Sequence, residues 1–361
     1  MRLPLPFATP VLTPRSRLAA LVLAAASALA LSACAESGQE ALEEVEITGQ
    51  VNIYSSRHYD TDLALYDDFT RATGIKVNRI EAPADALIER IVSEGEYSPA
   101  DLLITVDAGR LWRAVDADVL APVESQKLVE RVPESLRHPD GLWFGLSTRA
   151  RIIIANSSAV DISGLQSYAD LADPAFKGQI CMRSSSNIYN ISLLSSVIAH
   201  AGEAAAQDWA NGVVANFKRP PQGNDTVNIE AVASGECGVS LVNTYYLARY
   251  ADRPEILDKV TIIFPNQGEG ETGTHVNVSG AGLTKSAPNR DNAVRFLEYL
   301  TETQAQQYFA NGNNEYPAVP GVPATSFVEG LGEFRADTLS TATIGQGQAK
   351  AVAIYDAAGW N

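Results

Sequence analysis

Leu241-Val242-Asn243-Thr244-Tyr245-Tyr246-Leu247-Ala248-Arg249 decides how the chain is read. The short apolar run Val239–Val242 has the look of a buried strand. It ends at Asn243-Thr244, two tyrosines follow, and Leu247 onward reads as helix. In open α/β sheets ligands sit at the carboxyl ends of strands, so both phenols stand where a ligand would be held. Two adjacent side chains reach one cleft only if the backbone there is irregular, since a regular strand would point them to opposite faces. With 13 tyrosines in 361 residues, about half a Tyr-Tyr doublet arises by chance. The doublet therefore depends on partners elsewhere in the chain.

Upstream, strands and helices alternate. Val51–Ser56 is a buried strand, Arg57–Asp62 a loop, and Leu63–Thr73 a helix closed by Gly74. Ile75–Ile80 is the second strand, Ala84–Glu94 a helix ended by Gly95, Asp101–Val106 a third strand and Ala108–Val115 a third helix. This order signals a parallel sheet covered on both faces. Trp143–Ser147 and Ala150–Asn156 are extended. Leu165–Leu171 reads as a short helix, Gln179–Arg183 as a strand, Ser184–Asn190 as a polar loop and Ile191–His200 as a helix. Val260–Pro265 is another strand, His275–Gly282 a return segment, and Arg290–Leu300 a helix.

The expectation is an α/β chain of two lobes, with crossovers near 147–150 and 272–280 and a ligand cleft between the lobes. The first lobe would comprise 48–147 plus 274–322, and the second 148–273 plus 323–361.

The N-terminus is read as a targeting segment. Arg15 and Arg17 precede the apolar run Leu18–Leu31, which ends in Leu31-Ser32-Ala33-Cys34. A basic flank, a short apolar stretch and small residues at the cut describe a secretory signal over 1–33. Leu-Ser-Ala-Cys resembles the bacterial lipobox, which implies that Cys34 is lipidated and leads the mature chain. Residues 34–47 then form a polar, acidic tether.

The formal net charge is −16, and the N-terminal stretch holds arginines but no acid, so the exported part is more acidic still. Such a surface repels nucleic acid and anionic membranes. Only Cys181 and Cys237 remain after Cys34, and in an exported chain a disulfide between them is expected ahead of two buried thiols. No Cys or His spacing suggests zinc or an iron–sulfur cluster.

Three strand-following loops carry tyrosine: Tyr59 after the first strand, Tyr189 after Gln179–Arg183, and Tyr245-Tyr246. His58 adds an imidazole beside Tyr59; it serves either as a ligand or as a satisfied polar residue at a strand end. If these loops face one cleft, the phenols converge. Phenol has a pKa near ~10, but a bound trivalent cation draws protons from its ligands. Phenolate is a hard anionic donor suited to ferric iron. Calcium or magnesium would call for acidic loops, and none is present. Phenolates in this number carry one negative charge more than a 3+ ion can neutralise. Arg249, one helical turn beyond the doublet, and Arg57 and Arg149 near the other loop or the crossover are candidates to offset that excess. Each could equally make a surface ion pair. His138, His200 and His275 lie in unrelated contexts.

Tyr54-Ser55-Ser56-Arg57-His58-Tyr59, Arg183-Ser184-Ser185-Ser186-Asn187-Ile188-Tyr189-Asn190 and Asn243-Thr244-Tyr245-Tyr246 together resemble the ferric-iron-binding periplasmic proteins of bacterial ABC importers. The similarity runs over nearly all of 50–361. It implies a type II periplasmic-binding fold, two hinged lobes closing on Fe3+, and delivery to an ABC transporter permease by a monomer in the periplasm, tied to a membrane only through the lipid on Cys34. It also implies that Tyr59, Tyr189, Tyr245 and Tyr246 are ligands, with His58 joining them in some members. Some relatives use a glutamate after the third strand. This chain has Thr105-Val106-Asp107 there, so that ligand is not expected.

A second reading keeps the fold and changes the solute to an anion or small organic molecule, held by arginines and by N–H groups where Ser184-Ser185-Ser186 leads into a helix. An enzyme is not expected, because the chain has no Gly-x-Ser-x-Gly elbow and no His-Glu-x-x-His.

Overall fold

A computed structural model describes residues 46–57 and 59–361. The stretch expected as a signal peptide, Cys34, nearly all of the stretch expected as a tether, and His58 lie outside the described residues. Among the described residues no helix is long and apolar enough to cross a membrane.

The strands are β1 (Gly49–Ser55), β2 (Ile75–Glu81), β3 (Leu102–Val106), β4 (Leu120–Ala121), β5 (Phe144–Ala155), β6 (Val239–Asn243), β7 (Thr261–Ile263), β8 (Val276–Thr284) and β9 (Tyr316–Pro317). β1 lies between β2 and β3 with both neighbours parallel, as right-handed strand–helix–strand units require. β3 continues into antiparallel β8, and β8 pairs with the first part of β5.

The step between lobes falls within β5. Ala150 pairs with Val276 in the first sheet, and the next residue, Arg151, pairs with Asn243 in the second. The two extended segments expected from sequence are thus one strand, irregular between Gly145 and Ser147. Every residue of β5 and β8 is buried. Each lobe has its own core. Val51, Ile53, Phe69, Ile104 and Phe296 pack in the first, and Ile153, Trp209, Leu241 and Trp360 in the second.

The C-terminal tail, expected as a whole on the second lobe, packs against both. Ala342 and Ile344 join Leu87, Leu111 and Trp143, whereas Ala351 and Ile354 join the second core. It passes from one to the other at Gly347, where a Cβ would overlap Ser195 Oγ.

Three local expectations are corrected. The segment 165–171 is a 3₁₀ turn at Ala169–Ala172 rather than a helix. The Asp170 carboxylate captures the Gln166 and Ser167 N–H groups, at 2.9 and 2.6 Å, and the Ser167 hydroxyl at 2.9 Å, competing with helical bonding. Gln179–Arg183 is not a strand. Only Ile180 bridges, to Phe217 and Val239, and the Arg183 carbonyl is taken by Asn190 Nδ2 and Trp360 Nε1 instead of a ladder partner. The helix after the serine loop begins at Ile188 with Asn187 as its cap, accepting from Tyr189 N at 3.2 Å. Tyr189 therefore sits in a helical first turn.

Cys181 and Cys237 form a disulfide closing a separation of 56 residues. It ties the segment leading to Tyr189 to the one leading to Tyr245. Replacing both cysteines by serine is expected to lower stability by about 2–4 kcal/mol, through the freed unfolded chain, read from urea denaturation with and without reductant. An unchanged midpoint would remove the disulfide from the stability argument.

Candidate functional site

The doublet lies within a 3₁₀ segment, Thr244–Tyr250, directly after β6, rather than ahead of a regular helix. The tighter winding solves the facing problem, because successive side chains no longer alternate as they do in a strand. The Tyr245 and Tyr246 rings stack with centroids 4.5 Å apart. Each is under a tenth exposed, at 8% and 9%. Tyr245 Oη donates to Tyr189 Oη at 3.2 Å. On the first lobe Tyr59 precedes the helix Thr61–Thr73, and its carbonyl accepts from Asp62 N.

The phenols feel one another across the lobes. Burial pushes the Tyr245 hydroxyl well above its usual range, and Tyr189, Tyr246 and Tyr59 push it further in the same direction. Tyr59 is also raised, by burial first, then by Glu315 and Tyr189, with Arg57 and Arg149 opposing. Tyr189 is raised by burial; Arg149 pulls it back and Tyr246 adds to it. These phenols therefore stay protonated at neutral pH.

Arginines surround the cluster. The guanidinium carbons of Arg183, Arg149 and Arg151 lie 5.3, 5.6 and 5.9 Å from the Tyr189 ring centroid. Arg249 lies 4.5 Å from that of Tyr246 and Arg57 4.9 Å from that of Tyr59. Arg57 is buried and pinned by Asp62 and Glu315, each at 3.0 Å. Glu315 also accepts from Ser147 at 2.9 Å and Ser279 at 3.3 Å, one on each crossing strand. Arg249 donates to Thr226 Oγ1 at 3.3 Å.

The three arginines singled out from sequence, Arg57, Arg149 and Arg249, thus lie against the tyrosines. Arg151 and Arg183 were missed. Both pair with the fully buried Asp225, at 2.7 and 3.2 Å, which also accepts from Asn243 N at 2.8 Å. No local signal marks that triad, because its members are far apart in the chain. Alternation along β5 was the one available hint, since Arg149 and Arg151 share a face.

Asp107 is buried and engaged with Gly109 N, Ser192 and Asn277. Among the described residues no group of three or more His, Cys, Asp or Glu side chains is placed to hold a metal ion.

The histidines left aside from sequence occupy other places. His200 pairs with Asp337 at 2.7 Å, and His138 Nδ1 accepts from Asp140 N. His275, at the start of β8, is fully buried, with neither ring nitrogen bonded among the described residues. Burial, then Arg149 and Arg151, lower its pKa to about 3. Between the ordinary value near ~6.5 and that one, the unfolded chain binds a proton that the folded chain refuses. Stability therefore falls as pH drops through this window, by about 1.4 kcal/mol per unit from this group. In urea denaturation between pH 4 and 7, His275→Gln is expected to flatten the slope relative to the native chain; parallel curves would refute this.

The family described as bacterial extracellular solute-binding protein matches residues 64–336. Iron uptake protein A2 of Synechocystis sp. is 51% identical over 316 residues, covering 86% of this chain and 90% of that one. The major ferric iron-binding protein of Neisseria meningitidis serogroup B is 29% identical, covering 82% and 89%. The solved structure of the Trichodesmium protein IdiA (FutA), in complex with iron and citrate ligands, superposes with a TM-score of 0.83 at 51% identity, covering 87% of this chain and all of that one.

Proposed function

Because the chain belongs to the bacterial extracellular solute-binding protein family, we propose that it captures ferric iron outside the cytoplasm and delivers it to an ABC transporter permease. The observation that carries this reading is the 3.2 Å contact of the Tyr189 and Tyr245 hydroxyls, with Tyr246 stacked alongside and Tyr59 within electrostatic reach from the other lobe. The names of its relatives, an iron uptake protein and a ferric iron-binding protein, support it.

Tyr59, Tyr189, Tyr245 and Tyr246 bind the ion as phenolates, and His58 completes the set. Arg57, Arg149 and Arg249 offset the excess negative charge. Iron is cargo here and undergoes no catalysed reaction. Binding to groups on both lobes favours the closed state by population shift. Reduction weakens the hold, because a ferrous ion acidifies phenols less. The lobes follow the division 48–147 plus 274–322 and 148–273 plus 323–361, with the step itself at Ala150–Arg151 and with Ala342 and Ile344 of the tail packed in the first. The mature chain works as a monomeric lipoprotein of the periplasm, anchored through Cys34.

Titrating metal-free protein with a ferric chelate at neutral pH tests this. The expected result is one iron per chain, with a visible phenolate-to-iron absorption band and release of protons to the medium. A colourless complex, or no uptake, would overturn it.

One observation favours the second reading. A cleft of about 520 Å³ beside Tyr189 is lined by Arg110 and Arg183 with Ser55, Ser56 and Asn187, two cations against the single carboxylate of Glu81, a setting for an anion. Anion binding that is equally strong with and without iron would favour it; binding that needs iron would make the anion an accessory to the metal.

A further inference from the structure

Asp107 stands where β3 leaves the first sheet. Its backbone has φ 86° and ψ 133°, a conformation that an L side chain adopts at a cost. That conformation is over-determined by contacts of the buried carboxylate. Oδ1 accepts from Gly109 N at 2.9 Å and from Ser192 Oγ at 2.5 Å. Oδ2 accepts from Asn277 Nδ2 at 3.0 Å and faces Arg149 Nη2 at 3.5 Å. Asn277 Oδ1 in turn accepts from Ala108 N at 2.8 Å.

These partners lie on different parts of the molecule. Arg149 and Asn277 face each other on the two crossing strands. Ser192 is on the helix Ile188–Ala201, whose Ile191, Leu193 and Leu194 are in the second core. Ser192 follows Tyr189 by three residues, so the two share one helix face. Gln348, from the tail that spans both lobes, donates to the same Ser192 hydroxyl at 3.1 Å.

We propose that Asp107 is a positioning residue for the ferric site: from the first lobe, its carboxylate fixes both the helix that presents Tyr189 and the arginine that lies over the Tyr189 ring. It lies beside the crossing strands, where rotation moves atoms least, so it acts as a pin at the pivot. The backbone strain is what aims the carboxylate across the boundary. The metal part of this inference rests on the iron reading above.

The test uses Ser192→Ala, Asp107→Asn and Asp107→Gly in the full chain. Ser192→Ala removes the arm to the Tyr189 helix and leaves the crossing strands intact. It is expected to weaken iron binding on the order of tenfold, as loss of a hydrogen bond to a charged acceptor does, and to shift the visible band. Asp107→Asn keeps the shape but loses the charge facing Arg149, and should weaken binding at least as much. Asp107→Gly relieves the strain, so its melting temperature should fall less than that of Asp107→Asn while its iron affinity falls more. If affinity and melting temperature instead fall in step across all three, or affinity and band are unchanged in folded Ser192→Ala and Asp107→Asn, the positioning role is overturned.

If the native chain takes up no iron, the iron reading fails separately. Small-angle scattering of metal-free protein then decides the pin. Asp107→Asn should enlarge the maximum dimension, and an unchanged profile would overturn it.

Discussion

Tyr245→Phe combined with Tyr246→Phe is expected to weaken and shift the visible iron band and to weaken ferric binding by well over a hundredfold. The bound is set from below, since loss of a group that merely supports a metal ligand already costs about 10–100-fold, and here two ligand oxygens go. The fold should tolerate the change. Phenylalanine keeps the ring volume, and the rings stack at 4.5 Å without help from their hydroxyls. Among the described residues the hydroxyls lost are bonded to Tyr189 Oη, from Tyr245 at 3.2 Å, and to the Arg183 side chain, which donates to Tyr246, each contact contributing about 1 kcal/mol. Tyr250→Phe is the matched control. Tyr250 lies in the same 3₁₀ segment and is equally buried, but its hydroxyl donates to the Thr226 carbonyl and Glu230, outside the cluster. It should lose comparable stability and keep the colour. A double variant that keeps the native band at native affinity would remove Tyr245 and Tyr246 from the ligand set.

How far such an experiment could have been designed from sequence depends on what local patterns record. The strand–helix alternation of 49–116 was legible because each element announces itself by periodicity and a stop signal, and Ala84–Glu94 has the bounds expected. The crossover regions were legible as apolar stretches. That β5 changes sheets between Ala150 and Arg151 was not, because pairing partners more than 90 residues away decide it. Tyr59, Tyr245 and Tyr246 were visible as residues following strands, whereas the strand expected before Tyr189 is only an isolated bridge at Ile180. The convergence of all four was not visible, because it depends on the 3₁₀ winding of Thr244–Tyr250 and on Tyr189 entering a helix early. Least visible were the acids. Asp107, Asp225 and Glu315 look like ordinary surface carboxylates in the sequence, yet all are buried. Each is compensated by arginines or hydroxyls supplied from far along the chain, and charge pairing at that distance leaves no spacing to read.

Asp225 is where this long-range pairing should matter most. Asp225→Ala is expected to cost about 3–5 kcal/mol of stability, the range for breaking a buried pair and stranding its partner. Arg151 is the stranded partner. It is 2% exposed, and apart from Asp225 it has Asn190 Oδ1 at 3.0 Å and Asn243 Oδ1 at 3.3 Å, neither of them charged. Arg183 is closer to the surface and can turn toward water. The carboxylate also holds Asn243 N at 2.8 Å, one residue before the 3₁₀ segment begins, so the same substitution should slacken the backbone that presents Tyr245 and Tyr246. Stability and iron affinity should therefore fall together in Asp225→Ala. The charge argument separates from the backbone argument by adding Arg151→Met. With both charges gone, much of the lost stability should return, while iron affinity stays low because Asn243 N remains unheld. The measurement is urea denaturation of the single and double variants, alongside ferric titration. Equal losses of stability in the two would show that Arg151 was never the cost. Native affinity in the double variant would show that Asp225 does not hold the tyrosine segment in place.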